Sequence, residues 1–506
     1  MKPKIIFWGL VLTAIYLRFY KLGIIPYGYS WDETSIIYNA WGIALWHRDE
    51  WAQLLPLAFR SFGDYKAPLL FYALAVPFKF FGVIEPLIRY YAALAGMGMV
   101  IATYAIAKYV SPKQSTPPLI AMALVVFSPW AINFSRAGFE ANVALCLFTL
   151  GFYWLLAGEK QPKAWIGSAL AFSLSLYAYH AAKIAVPVMI LWYVLIRFSF
   201  LKTRLKQIIL PLLFGILMTV PLLFNTLYRG GFERGMTMIF FNDQKQFRGL
   251  GEIVTEFTGN LNNELSLPFL IGGQDAVGLR HLTPGHGIIY VVELPFLLYG
   301  IFQLFHSSNR TYRLLFGWLV AGILPALLSH QTPHAVRSLL VLPGLALTTT
   351  LGVSTYIQNF QKTGLFIRIF AITLPAILYF GQWSGYEKTY YSSYAIASAP
   401  QYQYGYREAL TIASELGRTR DKIVVTDAYG QPYVYVLLTN RIKPAEFLAG
   451  ALANYEFHTF SWPYYKPNSV IVGTPAEIPP RDPAVKALVK IPGTDQILFV
   501  VAVTPP

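Results

Sequence analysis

Two adjacent carboxylates, Asp32 and Glu33, lie in the segment Tyr29-Ser30-Trp31-Asp32-Glu33, just after the first apolar run. Further on, Asp64 and Lys66 stand in Gly63-Asp64-Tyr65-Lys66-Ala67-Pro68, abutting the next apolar run. Ionisable groups at a membrane edge are costly, and they are functional candidates by default. A carboxylate with a like charge beside it in a partly desolvated cleft has a raised pKa, which suits a general base. An ammonium at the mouth of an apolar segment can hold a phosphate as a point charge. Together these groups fit transfer of a group from a lipid phosphate to an acceptor.

Each residue also has a plainer reading. Ser30 through Glu33 matches a capping box, so Glu33 is equally a helix cap. Asp32 is not needed for that cap and is the candidate base. The residues that follow, Ile36, Ile37, Ala40, Trp41 and Ala44, have the spacing of an amphipathic helix lying on a membrane. Lys66 could instead snorkel to headgroups. Arg136 and Glu140 are spaced i,i+4, as in an inert helix-face ion pair or in a phosphate contact oriented by an acid. His180 and Lys183 follow an apolar run, and His180 also reads as a satisfied hydrogen-bonding residue. Thr332-Pro333 reads as a helix N-cap and first helical position. Because helix N-termini favour anions, His334 and Arg337 become phosphate candidates there, with lipid headgroups as the alternative. His281 and His286 would suggest a metal, but no carboxylate appears at zinc-ligand spacing, so no metal and no cofactor is expected. Glycine-rich nucleotide loops are missing, which leaves a nucleotide-linked donor without a visible site.

These residues need a membrane scaffold, and the composition provides one. The chain has 506 residues, 55% hydrophobic, 16% aromatic and 13% charged. A soluble chain carries roughly 25% charged residues. Apolar runs at 5–22, 86–107, 117–133, 140–157, 164–180, 184–199, 208–226, 288–306, 314–330, 337–356 and 365–382 predict about 11 transmembrane helices. The expected fold class is therefore an all-α polytopic membrane protein with a small C-terminal α/β domain outside the cytoplasm. The net charge of +15 sits mainly in short loops, which is the positive-inside signal rather than a nucleic-acid surface. Cys146 alone excludes a disulfide framework.

Starting from a cytoplasmic N-terminus with an uncleaved first span, five alternate loops come out basic: Lys108 and Lys113; Lys160 and Lys163; Arg197 to Lys206; Arg310 and Arg313; Lys362 and Arg368. That phase holds only if the interrupted run 68–82, with Pro77 and Lys79, is re-entrant or interfacial. The expected layout is a membrane-embedded domain over 1–383, with outer loops 23–67 and 227–287, and a soluble domain over 384–506. In the tail, a helix is expected over 404–416 and strands over 422–426, 469–473 and 496–503. Its tyrosines, Tyr386, Tyr390, Tyr391, Tyr394, Tyr402, Tyr404 and Tyr406, fit an interfacial belt or sugar stacking.

Trp31-Asp32-Glu33, Asp64-Tyr65-Lys66-Ala67-Pro68-Leu69-Leu70, and Ser135-Arg136 with Glu140 resemble the C-type superfamily of membrane glycosyltransferases. The nearest branch is that of the protein mannosyltransferases and aminoarabinose transferases, and the resemblance covers roughly residues 5–380. It implies an inverting transferase of the cell membrane. The sugar, a mannose-like hexose or an aminopentose, would pass from a polyprenyl-phosphate donor to a protein, lipid or glycan acceptor. Asp32 would be the base with Glu33 its companion. Lys66 and Arg136 would contact the donor, with Asp64, Glu140, His180, Lys183, His334 and Arg337 as further donor-site candidates. Lys66-Ala67-Pro68 departs from the Lys-Pro-Pro usual in that family. The rival reading is a transporter or flippase of lipid-linked glycans. Visible repeats, common in transporters, are lacking.

Overall fold

The computed structural model describes residues 2–228, 235–464 and 466–506. Stretch 229–234 of the expected outer loop therefore lies outside the described residues. The chain divides into two compact units, one comprising residues 1–22, 64–69 and 89–391 and the other 23–63, 70–88 and 392–506.

The first unit is helical. Helices occur in all the expected apolar runs: Pro3–Phe19, Leu87–Val110, Thr116–Phe127 with Pro129–Arg136, Glu140–Ala157, Ala164–Ala178, Ala182–Lys202, Leu205–Tyr228, Leu294–His306, Arg310–Leu327, Leu342–Phe360 and Leu365–Thr389. Among the described residues six helices are long and apolar enough to cross a bilayer, and up to seven if a bent pair counts as one. That pair falls on the expected span over 117–133, which is broken rather than continuous. The helix breaks at Ser128-Pro129 and turns by 56°. Pro129 has no N–H to continue the ladder, and Ser128 Oγ instead accepts the Ala131 N–H at 3.2 Å to start a new helix.

Packing in this unit depends on small residues. A Cβ on Gly300 would lie 2.0 Å from the Thr348 carbonyl oxygen, and one on Gly352 would lie 1.9 Å from that of Phe296. Only glycine lets the Leu294–His306 and Leu342–Phe360 helices meet backbone to backbone, as helices do in lipid. Leu205–Tyr228 and Leu365–Thr389 turn outward large side chains, among them Ile209, Leu213, Leu217, Phe366, Phe370 and Ile377. At about 25 cal/mol per Å² such area is unaffordable in water and costs nothing against lipid tails.

In the second unit the tail and the first-loop segments form one body. Its five-stranded sheet runs in the order Tyr455–Phe457, Lys422–Val425, Ser469–Gly473, Ile497–Val503, Val485–Lys490. The first three strands are parallel and the last two pairings antiparallel. Three strands and the Tyr406–Leu416 helix fall where expected, whereas Tyr455–Phe457 and Val485–Lys490 are additional.

The Trp31–Trp46 helix corrects a second expectation. It does not lie on a membrane surface, because eleven of its residues are buried. Tyr38 enters the core beside Tyr406, Leu410, Val434 and Phe499, and its hydroxyl donates to the Ile442 carbonyl at 3.0 Å. The interrupted run forms the helix Leu69–Phe81 with Pro77 inside. At 1.5 Å per residue it is about 20 Å long, short of a core of about 30 Å.

Candidate functional site

In the second unit the base candidate stands at a firmly held helix start. Ser30 N–H donates to Glu33 Oε2 at 2.9 Å, and Glu33 N–H to Ser30 Oγ at 3.3 Å, completing the capping box. Glu33 is buried in that cap, while Asp32 is half-buried beside it. The tail holds the same turn from the other side. Gln403 Oε1 accepts the Trp31 N–H at 3.0 Å, and the Tyr435 hydroxyl donates to the Tyr29 carbonyl at 2.7 Å. Sequence reading had no means of pairing residue 403 with residue 31.

Beside this turn lies a cavity of about 420 Å³ lined by Tyr27, Tyr29, Gln403, Tyr404 and Tyr435. Glu85, also on its wall, is held by Arg407 at 2.7 Å and Arg441 at 3.3 Å. Of the tail tyrosines, Tyr404 faces this cavity, while Tyr386, Tyr390, Tyr394, Tyr402 and Tyr406 are buried. They are core residues, not a belt.

Glu50, which sequence reading passed over, is buried in the same unit. Burial, with the neighbouring Asp49 charge, pushes its pKa up to about 8. Asp49 is also raised by burial, although it accepts the N–H groups of Trp51 at 2.9 Å and Gln53 at 2.8 Å. The available signal was a second adjacent acid pair, Asp49-Glu50, in the loop that carries Asp32-Glu33.

In the first unit three candidates converge. His180, Lys183 and Arg337 line one cavity of about 240 Å³, together with apolar Ile184, Met238 and Leu328. Lys183 lies in the first turn of the Ala182–Lys202 helix. His180 Nε2 is 2.7 Å from the Tyr65 carbonyl oxygen, so it ties down the short strand Asp64–Lys66. Asp64 Oδ1 accepts the N–H of Tyr65 at 2.8 Å. Lys66 is half-buried at the end of that strand.

Arg136 is fully buried at the end of the Pro129–Arg136 helix. Its guanidinium donates to the carbonyls of Leu17 at 3.0 Å and Tyr20 at 2.7 Å and to the Tyr390 hydroxyl at 3.1 Å. It also lies over the Tyr390 and Tyr391 rings, 5.2 and 5.3 Å from their centroids. The expected helix-face spacing to Glu140 is corrected, because Ala137 is extended and Glu140 begins the next helix.

The expected helix start at Thr332-Pro333 is also corrected. Residues 332–338 form a turn, and helical structure begins at Leu339. Two N–H groups of the turn go to carboxylates: His334 to Glu264 Oε1 and Ala335 to Asp275 Oδ2, both at 2.7 Å. Arg337 leaves this turn toward the cavity, while His334 turns inward. Burial pushes the Glu264 pKa up to about 7 despite the His334 N–H. Burial would raise Asp275 too, but its bond with His281 keeps it below the usual range. Asp275 is also the carboxylate that sequence reading did not find for His281. Asp275, His281 and His334 present ligand atoms within 4.8 Å of one another, whereas His286 is not in the group.

No family model matches the chain, and no curated protein matches it. Solved structures do match. ArnT from Cupriavidus metallidurans in the apo state aligns with a TM-score of 0.55 at 11% identity over 99% of each chain. ArnT bound to undecaprenyl phosphate aligns at 0.54 with the same identity and coverage. The archaeal oligosaccharyltransferase AglB from Archaeoglobus fulgidus, in complex with an inhibitory peptide and a dolichol-phosphate, aligns at 0.52 and 13% identity over 86% of this chain and 63% of that one. At 11–13% identity these likenesses show the fold alone, and that fold is the one the resemblance read from Trp31-Asp32-Glu33 and Asp64-Tyr65-Lys66 implied.

Proposed function

We propose that this chain is an integral-membrane inverting glycosyltransferase. It moves a sugar, a mannose-like hexose or an aminopentose, from a polyprenyl phosphate to an acceptor at the outer face of the membrane. The observation that carries the reading is the cavity of about 240 Å³, where apolar walls meet His180, Lys183 and Arg337. Hydrocarbon beside cationic nitrogen is the complement of a phosphate on a lipid chain. Proteins of this fold hold undecaprenyl phosphate and dolichol-phosphate, which agrees with that choice of carrier. The phased basic loops support a cytoplasmic N-terminus.

In the step proposed, an acceptor hydroxyl attacks the anomeric carbon as the bond from that carbon to the phosphate oxygen breaks. The proton goes to the Asp32 carboxylate, and the bond pair leaves with the polyprenyl phosphate. Lys183 and Arg337, with Lys66, neutralise the charge that develops on the leaving group. These cations suffice for that role, so the step itself calls for no divalent ion. Arg136 acts as a positioning residue, since its fork already holds Leu17 and Tyr20. A single displacement inverts the anomeric centre.

The test uses the purified full chain in lipid discs with polyprenyl-phosphate mannose or polyprenyl-phosphate aminoarabinose, radiolabelled in the sugar, and a lipid and glycan extract as acceptor. Label should move to an acceptor, and unlabelled polyprenyl phosphate should compete. Absence of both transfer and polyprenyl-phosphate binding would overturn the reading.

A further inference from the structure

We infer that Asp275, His281 and His334 form a divalent-cation site of the zinc class, which clasps the loop around 272–289 to the turn 332–338. Two imidazoles and a carboxylate are an ordinary zinc donor set. Their ligand atoms lie within 4.8 Å of one another, with His281 Nδ1 already 2.9 Å from Asp275 Oδ1. Tetrahedral zinc with bonds of about 2.0–2.1 Å wants ligand separations of about 3.3 Å. From separations of at most 4.8 Å, no donor pair then has to close by more than about 1.5 Å.

The donors are held in advance. Asp275 is fixed by the N–H groups of Val277 at 2.8 Å and Ala335 at 2.7 Å. Asn133 Nδ2 donates to the His281 carbonyl at 3.2 Å, and the His281 ring lies against Phe134, Phe139 and the His334 ring. The His334 N–H is held by Glu264. Such outer contacts orient metal ligands in established sites. Both histidines and the Asp275 side chain are almost fully buried. Asp275 and Glu264 together bring two carboxylates into one dry neighbourhood, whose charge a cation would offset. The rival account is a hydrogen-bonded Asp275–His281 pair with no metal.

The consequence for donor binding rests on the proposed function: His334 stands three residues before Arg337, so a bound cation would fix the turn that brings Arg337 to the cavity. The site itself does not rest on it. In the test, the purified full chain is stripped with a chelator, dialysed against zinc or cobalt, and analysed for bound metal. About one zinc per chain is expected. Cobalt should give the visible absorption of a tetrahedral nitrogen and oxygen site. His281→Gln and His334→Gln should each lose the metal, and His286→Gln should retain it. Wild-type chain should unfold roughly 2–3 °C higher with zinc at a hundredfold excess over Kd than with chelator, a comparison that needs no folded variant. Wild-type chain that retains no zinc and unfolds at the same temperature either way would overturn the site. Zinc retained with polyprenyl-phosphate binding unchanged by chelation would overturn only the link to Arg337.

Discussion

The Arg136 guanidinium donates to the Tyr20 carbonyl at 2.7 Å, tying the start of one broken-helix connection to the end of the first helix. With Leu17 and Tyr390 also bound, each of the three guanidinium nitrogens donates inside the protein. Arg136→Met strips a donor from the buried Leu17 carbonyl and from the partly exposed Tyr20 carbonyl, and it should cost about 2–5 kcal/mol of stability. Arg136→Lys should recover little, since an ammonium cannot span three acceptors in a plane. Thermal unfolding in lipid discs checks this. Unchanged stability together with a large loss of donor affinity would return Arg136 to the phosphate.

Lys183 and Arg337 share a cavity and should share a phenotype. Lys183→Met and Arg337→Met should each weaken polyprenyl-phosphate binding by about one to two decades, the worth of a charge-assisted contact. Acceptor KM should move much less. Donor titrations equal to wild type in both variants would remove the cavity from the mechanism.

Glu50 should give the protein a pH dependence. Its folded pKa of about 8 lies above the ordinary value of 4.5, so the folded state holds a proton that the unfolded state releases. The associated stability is complete below pH 4.5 and is lost as pH rises through 8. Glu50→Gln should flatten that fall without lowering stability at acid pH. Unfolding midpoints across this range provide the measurement, and an unchanged slope in the variant would show that another group titrates.

The capping box separates two roles for Glu33. If the carboxylate serves the helix, Glu33→Ala should cost about 1 kcal/mol, and Glu33→Gln should keep both the cap and the turnover. Loss of turnover in a stable Glu33→Gln protein would make its charge part of the chemistry.

Much of the helical scaffold was legible, because apolar runs such as 140–157 and 184–199 can hardly be anything but buried or lipid-facing helix. What stayed hidden depends on contacts distant in sequence or on single backbone breaks. Pro129 interrupts a run that is apolar but for Ser128 and Asn133, and Ala137 ends the helix that would have put Arg136 and Glu140 on one face. Tyr455–Phe457 is only three residues long, too short for a period to register. The Asp275–His281–His334 group joins residues some fifty positions apart, roughly the reach that local spacing rules lack. At the site, Asp32, Lys183 and Arg337 could be nominated by charge at a membrane edge. Gln403, which secures the helix start, could not, because nothing local marks it.

Asp32 carries the account. In Asp32→Asn the capping box and the Gln403 contact remain, so the protein should fold and bind polyprenyl phosphate as wild type does. What disappears is basicity. The turnover number, measured on purified protein under saturating donor and acceptor, should fall by about two to four orders of magnitude. A purified Asp32→Asn variant that transfers sugar at close to the wild-type rate would contradict the account.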